Sequence, residues 1–271
     1  IRVAHLPVLL LVCRKLRNLY ASCKTVLGFR RDSHTNIMRL TLLTAACARK
    51  EAWELCELYM SRQTVQPFQW IVIDDDEPQS KCNLGQEYYY KPEFKGVESL
   101  KNKVRYAITK RLIKGDAVLF AENDDWYSPH WLEFCAKHLE KYEMIGEGKA
   151  IYYHIGKRFW IQHDNMRHAS LCSTAIRTSA LSYVSASCSN PDAWIDDMLW
   201  KKPINKKVFD SLCSNSGKPL TVGIKGMPGR VGYSVQHVQR PLDAHDDPDL
   251  DCLRHLIGED ADLYAPYYKP Q

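Results

Sequence analysis

The chain has 271 residues, of which 45% are hydrophobic and 25% are charged. These values are ordinary for a soluble globular protein, and the length allows one large domain or two small ones. The formal net charge is +5, but residues 1–37 carry seven basic side chains against one acid, a net of +6, which leaves −1 for the rest. The basic average therefore gives no support to nucleic-acid binding by the main body of the protein.

The ten cysteines form no C-x-x-C pair and no Cys/His spacing typical of zinc sites. This pattern predicts reduced, mostly buried thiols and a cytoplasmic protein, or the host cytoplasm for a viral one. The apolar stretch 6–13 is too short to span a bilayer, so no membrane span is expected. We expect residues 1–37 to be a basic appendage ahead of Met38.

The first half of the chain alternates between strand and helix patterns. Short apolar runs predict strands, and apolar residues at helical spacing predict the helices between them. The predicted strands are 39–44, 69–73 and 117–121, and the predicted helices are 48–63, 97–114 and 129–142. This order predicts a mostly parallel sheet with helices on both faces.

The pattern changes after about residue 150. The predicted strands are 150–154, 158–163 and 170–176. One helix is predicted to begin near Asp196, and a second helix is predicted over 205–213. The stretch 215–232 is rich in Gly and Pro, which predicts a long functional loop.

Three acidic clusters stand in a fixed order along the chain. They are Asp74-Asp75-Asp76, Glu122-Asn123-Asp124-Asp125 and Asp196-Asp197. The first two each follow a strand of the buried type, and open α/β sheets bind ligands outside the carboxyl ends of their strands. Acids delivered there would repel one another unless a cation lies between them, and a divalent metal carrying phosphates supplies one.

These motifs resemble, in order, those of GT-A glycosyltransferases of the family-2 type, over residues 38–200. Residues 70–75 resemble the family's second strand, whose acids hold the base and ribose of a nucleotide. Residues 115–125 resemble its helix end, strand and D-x-D motif, and residues 196–200 resemble the acidic pair that supplies a catalytic base. Two departures stand out: residues 44–47 replace the commoner Pro-x-Tyr-Asn, and the D-x-D motif begins with Glu122.

The resemblance implies an α/β fold of the GT-A (Rossmann-like) type, with a mostly parallel sheet, helices on both faces and a smaller mixed sheet on the acceptor side. It implies a domain over 38–240, with a nucleotide-binding half at 38–128 and an acceptor half at 129–240, followed by a tail at 241–271. The implied activity is metal-dependent, inverting transfer of a hexosyl or pentosyl group from a nucleoside-diphosphate sugar, preferably a UDP-sugar, with Mn²⁺ or Mg²⁺.

Site roles follow from the resemblance for residues of the first two acidic clusters. Asp124 is the expected metal ligand, Glu122 is expected to contact the ribose or a metal-bound water, and Asp125 is expected close to the donor sugar. Asp74 and Asp75, together with Thr44 at the end of the first strand, are expected to bind the nucleotide.

Later residues receive the remaining roles. Asp197 is the expected general base, with Asp196 as the second choice. His237 is expected as a further metal ligand, with His245 as its rival. Lys225 and Arg230, in the Gly/Pro-rich stretch, are expected to contact the diphosphate.

The acceptor has two alternatives. Residues 123–127 and 226–230 resemble small viral enzymes of this fold, some of which glycosylate hydroxymethylated pyrimidines in DNA. A basic crescent at the Asp197 mouth would favour DNA, and an aromatic-lined groove would favour a glycan. A metal-dependent phosphohydrolase or nuclease, and a non-catalytic nucleotide-sugar-binding module, are the competing functions.

Overall fold

In a computed structural model, the described residues are 38–76, 82–210, 217–230 and 239–268. The strands are β1 Leu40–Ala46, β2 Gln69–Asp74, β3 Glu87–Tyr90, β4 Ala117–Phe120, β5 Trp126–Tyr127, β6 Met144–Gly148, β7 Ile151–His154, β8 Phe159–Gln162, β9 Ala175–Arg177, β10 Lys206–Asp210, β11 Thr221–Lys225 and β12 His245–Asp246. The helices are α1 Lys50–Ser61, α2 Ser99–Thr109, α3 Trp131–Leu139, α4 Leu181–Cys188, α5 Ile195–Leu199 and α6 Asp251–Ile257.

Seven of these strands form the main sheet, in the order β10-β6-β9-β4-β1-β2-β3. β9 runs antiparallel to both of its neighbours, and the other pairs are parallel. β1 therefore lies between β2 and β4, and the acidic clusters that follow β2 and β4 emerge at the same edge. This is the mostly parallel sheet that the strand and helix pattern predicted.

Both faces of the main sheet are covered, because alternate residues of a strand point to opposite sides. Leu42 of β1 belongs to the same buried cluster as Trp53 of α1, and its neighbour Leu43 belongs to a second cluster with Val104 of α2. These side chains are at most 3% exposed. Helices therefore pack on both faces, and the predicted fold class is confirmed.

A second, mixed sheet has the order β12-β8-β7-β11-β5. It is linked to the main sheet by Glu147 of β6, which is buried. The Glu147 carboxylate accepts hydrogen bonds from the backbone N–H groups of Leu220 and Thr221 at 2.9 and 2.8 Å and from the Thr221 hydroxyl at 2.9 Å. This contact fixes the start of β11, the strand that ends at Lys225.

Several sequence-based assignments are wrong in detail. The helix predicted over 205–213 is strand β10 within the described residues, because Val208 and Phe209 pack into different buried clusters on opposite sides. The loop predicted over 215–232 contains β11, which is buried along its whole length. The strand predicted over 170–176 is shortened to β9 and is preceded by a 3-10 turn at Leu171–Ser173.

The C-terminal residues pack against α1 and the loop after β4. Leu253 and Tyr264 belong to the same buried cluster as Trp53, and the hydroxyl groups of Tyr59 and Tyr264 are 2.9 Å apart. Trp126 Nε1 donates to Asp260 at 2.8 Å. The described cysteines are all free thiols.

Candidate active site

A cavity of about 650 Å³ lies at the carboxyl ends of β1 and β4. Its wall combines the segments that follow these strands with α2, the start of α5 and the end of β11. Ligands bind at this edge in open α/β sheets. Six carboxylates and five basic side chains line the cavity: Glu122, Asp124, Asp125, Asp164, Asp196 and Asp197, and Arg49, Lys101, Lys103, Lys225 and Arg230.

Asp124, the expected metal ligand, is paired with Arg49. Arg49 Nη1 lies 2.5 Å from Asp124 Oδ2, and the two side chains are only 9% and 3% exposed. Burial lowers the pKa of Arg49, but Asp124 and the other nearby acids raise it more, so the guanidinium stays charged. Arg49 thus supplies one positive charge at the carboxylate where a metal was expected.

Asp125 is held by β11. Its Oδ1 accepts a hydrogen bond from the backbone N–H of Ile224 at 2.9 Å and lies 3.4 Å from Lys225 Nζ. Among the described residues, Asp125 Oδ2 and the amide nitrogen of Asn123 are buried and have no hydrogen-bond partner. Burial raises the pKa of Asp125 despite the opposing charge of Lys225. Burial lowers the pKa of Lys225, but the surrounding acids raise it by more, so the pKa lies above its ordinary value.

Glu122 is the third carboxyl group of this cluster, and its ionised form is disfavoured. Burial, and then the charge of Asp125, raise its pKa to about 8. Ligand atoms of Glu122, Asp125 and Cys172 lie within 4.8 Å of one another. Burial raises the pKa of the Cys172 thiol well above its usual range, so the site offers carboxylate oxygens and a protonated sulfur. Oxygen ligands suit Mg²⁺ or Mn²⁺, and the orphaned oxygen of Asp125 fits such an ion.

Asp75 lies behind the cavity wall rather than among the lining residues. It accepts a hydrogen bond from Ser99 Oγ at 2.6 Å, lies 3.1 Å from Lys103 Nζ and pairs with Arg230. Burial raises its pKa, but these partners lower it more, so the net direction is downward. Asp75 thus positions three side chains that do line the cavity.

Asp74 and Thr44 are also absent from the cavity lining. Asp74 accepts hydrogen bonds from Tyr88 OH at 2.9 Å and from the backbone N–H of Asp76 at 3.1 Å, and burial raises its pKa. The Thr44 hydroxyl accepts a hydrogen bond from Trp70 Nε1 at 3.0 Å. Their contacts with a nucleotide stay predictions.

Arg230 lies in the segment after β11, which contacts the segment after β1. Its backbone N–H donates to Ala48 O at 2.9 Å, and Arg49 Nε donates to Arg230 O at 2.7 Å. Gly229 has a φ of +104°, and a Cβ there would lie 2.0 Å from Ala48 O, so glycine is required. The close approach places Arg230 in the same cavity as Lys225.

Asp196 and Asp197 line the cavity from the start of α5. His168 Nε2 lies 3.6 Å from Asp196 and 3.9 Å from Asp197, and Asp196 raises the pKa of His168 above its usual value. Asn165 Oδ1 accepts from Arg167 N–H at 2.8 Å, so its amide nitrogen faces His168 Nδ1 at 2.6 Å. The neutral ring therefore carries its proton on Nε2, toward the two acids.

Two cavity residues have roles that sequence reasoning missed. Arg49 comes three residues after β1, and a basic residue close to the carboxyl end of a strand was its available signal. Lys103 received no role in the helix predicted over 97–114, but it is 1% exposed and its Nζ also donates to Ala46 O at 2.6 Å. Its spacing of four residues from Ser99 places both on one side of α2. His237 lies outside the described residues.

No protein-family model matches the chain, and the curated proteins give no significant match. Solved structures with a similar chain path include the mannosyltransferase PcManGT from Pyrobaculum calidifontis, in complex with GDP-Man and Mn²⁺, at 12% identity and a TM-score of 0.47, covering 72% of this chain and 62% of that one. TarS from S. aureus matches at 12% identity and 0.43, covering 69% and 37%, and the bifunctional IspDF from Campylobacter jejuni at 10% and 0.41, covering 64% and 49%.

The chain thus spans less than two thirds of each of these three proteins. Identities of this size do not transfer an activity from those proteins to this chain. In the described part of the chain, the length and apolar composition needed to cross a bilayer are not found together in any helix.

Proposed function

We propose that the chain is a metal-dependent glycosyltransferase that moves a sugar from a nucleoside-diphosphate sugar to an acceptor hydroxyl. The observation that carries the proposal is the meeting of two acidic groups in one cavity. Glu122, Asp124 and Asp125 enter it after β4, and Asp196 and Asp197 enter it from α5. The first group suits a cation that accompanies a diphosphate, and the second suits removal of a proton from an acceptor.

The charge balance of the cavity favours a divalent cation. Each of its five basic side chains is already paired with an acid: Arg49 with Asp124, Lys101 with Glu98, Lys103 and Arg230 with Asp75, and Lys225 with Asp125. A diphosphate would bring further negative charge into a lining with six carboxylates. When bound, Mg²⁺ or Mn²⁺ would offset the charge that develops on the leaving diphosphate.

The residues proposed to hold the ion are Glu122, Asp124 and Asp125, with His237 as a further ligand outside the described residues. Arg49 competes with the ion for Asp124, because the two cations would share one carboxylate. Lys225 and Arg230 are proposed to face the diphosphate, and Asp74, Asp75 and Thr44 to support the nucleotide, for which UDP is the first choice.

Asp197 is the proposed general base of an inverting transfer. Its side chain is 48% exposed, whereas that of Asp196 is 21% exposed and lies nearer to His168. A carboxylate that is partly open to the cavity can take the proton of an attacking hydroxyl. Asp196 and His168 would then hold Asp197 in place.

The phosphohydrolase alternative needs two adjacent metals. Among the described residues, His, Cys, Asp and Glu side chains come together for a metal in one group, that of Glu122, Asp125 and Cys172. A single group of this kind favours the transferase. A non-catalytic binding module would use the same cavity. Measured turnover distinguishes the transferase from such a module.

The test is product analysis by mass spectrometry after incubation with nucleotide sugars, Mn²⁺ and a panel of sugars and hydroxymethylated DNA. Asp197→Asn should lower transfer by about 100-fold or more with donor binding retained. Asp192→Asn changes an exposed acid of the same segment that does not line the cavity, and it should transfer normally. Release of inorganic phosphate without sugar transfer would contradict the proposal, and normal transfer by Asp197→Asn would remove its base.

A further inference from the structure

Two exposed apolar side chains lie at the cavity. The large apolar residues that are exposed in the described part of the chain are Phe68, Leu84, Tyr90, Val97, Met166, Trp194 and Leu242. Of these, Val97 and Trp194 line the cavity, and they are 78% and 54% exposed. Trp194 comes two residues before Asp196, and both residues line the cavity.

The segment that carries Trp194 is held in place by α2. Lys101 Nζ donates to the carbonyl oxygens of Asn190 and Pro191 at 2.8 and 2.9 Å, and it pairs with Glu98 at 3.0 Å. The next residue after Trp194, Ile195, is 2% exposed and is anchored in the core. Trp194 is therefore presented by an ordered segment, which limits the entropy lost when a ligand packs on it.

The charges of the cavity select against a nucleic-acid ligand. Binding of DNA depends on basic side chains that neutralise phosphates. Every Lys and Arg that lines the cavity is already paired with an acid, and Asp164, Asp196 and Asp197 line the same cavity as Trp194. A flipped base could stack on the indole, but its phosphodiester backbone would meet carboxylates.

An uncharged sugar ring meets the same surface favourably. One face of a pyranose presents C–H groups that pack on an aromatic ring, and its rim presents hydroxyls. Aromatic side chains supply a large rigid apolar surface for such packing. Carboxylates accept hydrogen bonds from hydroxyls, so Asp164 and Asp197 can engage the rim.

We propose that Trp194, with Val97, forms the acceptor platform of the site and that the acceptor is an uncharged carbohydrate. This inference rests on the proposed function, because a ligand at Trp194 is an acceptor only if the protein transfers a sugar. A ring stacked on Trp194 would direct a hydroxyl toward Asp197, which lies three residues further along the chain. The geometry thereby favours a glycan over hydroxymethylated DNA.

The test measures binding of immobilised neutral oligosaccharides, uronic-acid oligosaccharides and hydroxymethylcytosine DNA, with UDP and Mn²⁺ present. The proteins are the wild type, Trp194→Ala, Trp194→Phe and Phe68→Ala. Phe68 is the matched control, since it is 53% exposed and does not line the cavity. Trp194→Ala should weaken capture of neutral oligosaccharides by about ten-fold. Trp194→Phe should retain most of it, and Phe68→Ala all of it.

Preference for the DNA or for the acidic sugars would overturn the inference. So would capture of neutral oligosaccharides by Trp194→Ala at wild-type affinity, or no capture of them by the wild type. Thermal unfolding of each variant with UDP and Mn²⁺ separates the two claims. If none of the four proteins bound the nucleotide but the wild type still captured glycans, the proposed transferase would be overturned. Trp194 would then remain a carbohydrate-binding residue.

Discussion

Arg49 and Asp124 form an ion pair of 2.5 Å in which both side chains are almost completely buried. The pair joins the segment after β1 to the acidic loop after β4, at the edge of the sheet where a ligand is expected. Two buried charges of opposite sign offset each other's desolvation, whereas one buried charge without its partner would lower the free energy of unfolding. The same carboxylate is the one proposed to meet a metal ion, so Arg49 and the metal compete.

Arg49→Ala should therefore make the protein less stable and more responsive to metal. Removal of one partner of a buried pair costs about 3–5 kcal/mol of the free energy of unfolding. Mn²⁺ should raise the melting temperature of this variant more than that of the wild type, because Asp124 is released. Arg39→Ala, which breaks an exposed pair with Asp116, should lower the free energy of unfolding much less and show the wild-type metal response. An equal Mn²⁺ effect in all three proteins would contradict a metal contact at Asp124.

Asp75 should make stability fall in acid. Its pKa is lowered in the folded protein by Ser99, Lys103 and Arg230, against the raising effect of burial. The stabilisation is present above the unfolded pKa of about 3.9 and is lost as the pH falls through the lower folded value. Chemical denaturation between pH 6 and the acid limit of solubility should show a smaller acid loss for Asp75→Asn than for the wild type. Parallel curves would show that Asp75 contributes nothing to acid sensitivity.

His168 should titrate above its ordinary range. Asp196 is the main cause of the raised pKa, and Asp197 adds to it. Its stabilising effect is fully present below the unfolded pKa of about 6.5 and is lost as the pH rises through the folded value. Imidazole NMR should give a midpoint above about 6.5, and Asp196→Asn should lower that midpoint more than Asp197→Asn does. A midpoint unchanged by Asp196→Asn would contradict the pairing.

Glu147→Gln should loosen β11. The carboxylate accepts three hydrogen bonds from Leu220 and Thr221, and an amide would place N–H donors against N–H donors. The loss should be about 1–3 kcal/mol, with faster amide exchange along Thr221–Lys225. Glu143→Gln is the control, because Glu143 accepts one backbone bond from Asn205 at a longer distance of 3.3 Å. Exchange of β11 at the wild-type rate would show that Glu147 is not the link between the sheets.

The sheet edge that carries the candidate site could be predicted from sequence because its strands are uninterrupted apolar runs. β2 and β4 end directly before Asp75 and close to Glu122, so the pattern and the chemistry agree locally. β10 was predicted as a helix because Lys206–Asp210 contains two apolar residues among three charged ones. Such a short segment takes its conformation from pairing with β6 rather than from its own sequence.

The ion pairs of the cavity could not be predicted in the same way. Arg49 and Asp124, or Lys103 and Asp75, come from separate elements, and only packing brings them together. Lys225 was expected in a flexible loop, whereas the structure places it at the end of a buried strand. Of the acids named from sequence, five line the cavity and Asp74 and Asp75 do not, and the ion-pair partners Arg49 and Lys103 were not predicted.

Metal-dependent nucleotide binding is the property that best tests whether the chain is a metal-dependent glycosyltransferase. We would follow thermal unfolding of the wild-type protein with UDP, GDP, ADP and TDP, each with and without Mn²⁺. A ligand that binds only the folded state raises the melting temperature. We expect one nucleotide, UDP first, to raise the melting temperature in the presence of Mn²⁺ by more than Mn²⁺ alone does. Stabilisation by Mn²⁺ alone, with no further effect of any nucleotide, would contradict the transferase and favour the phosphohydrolase.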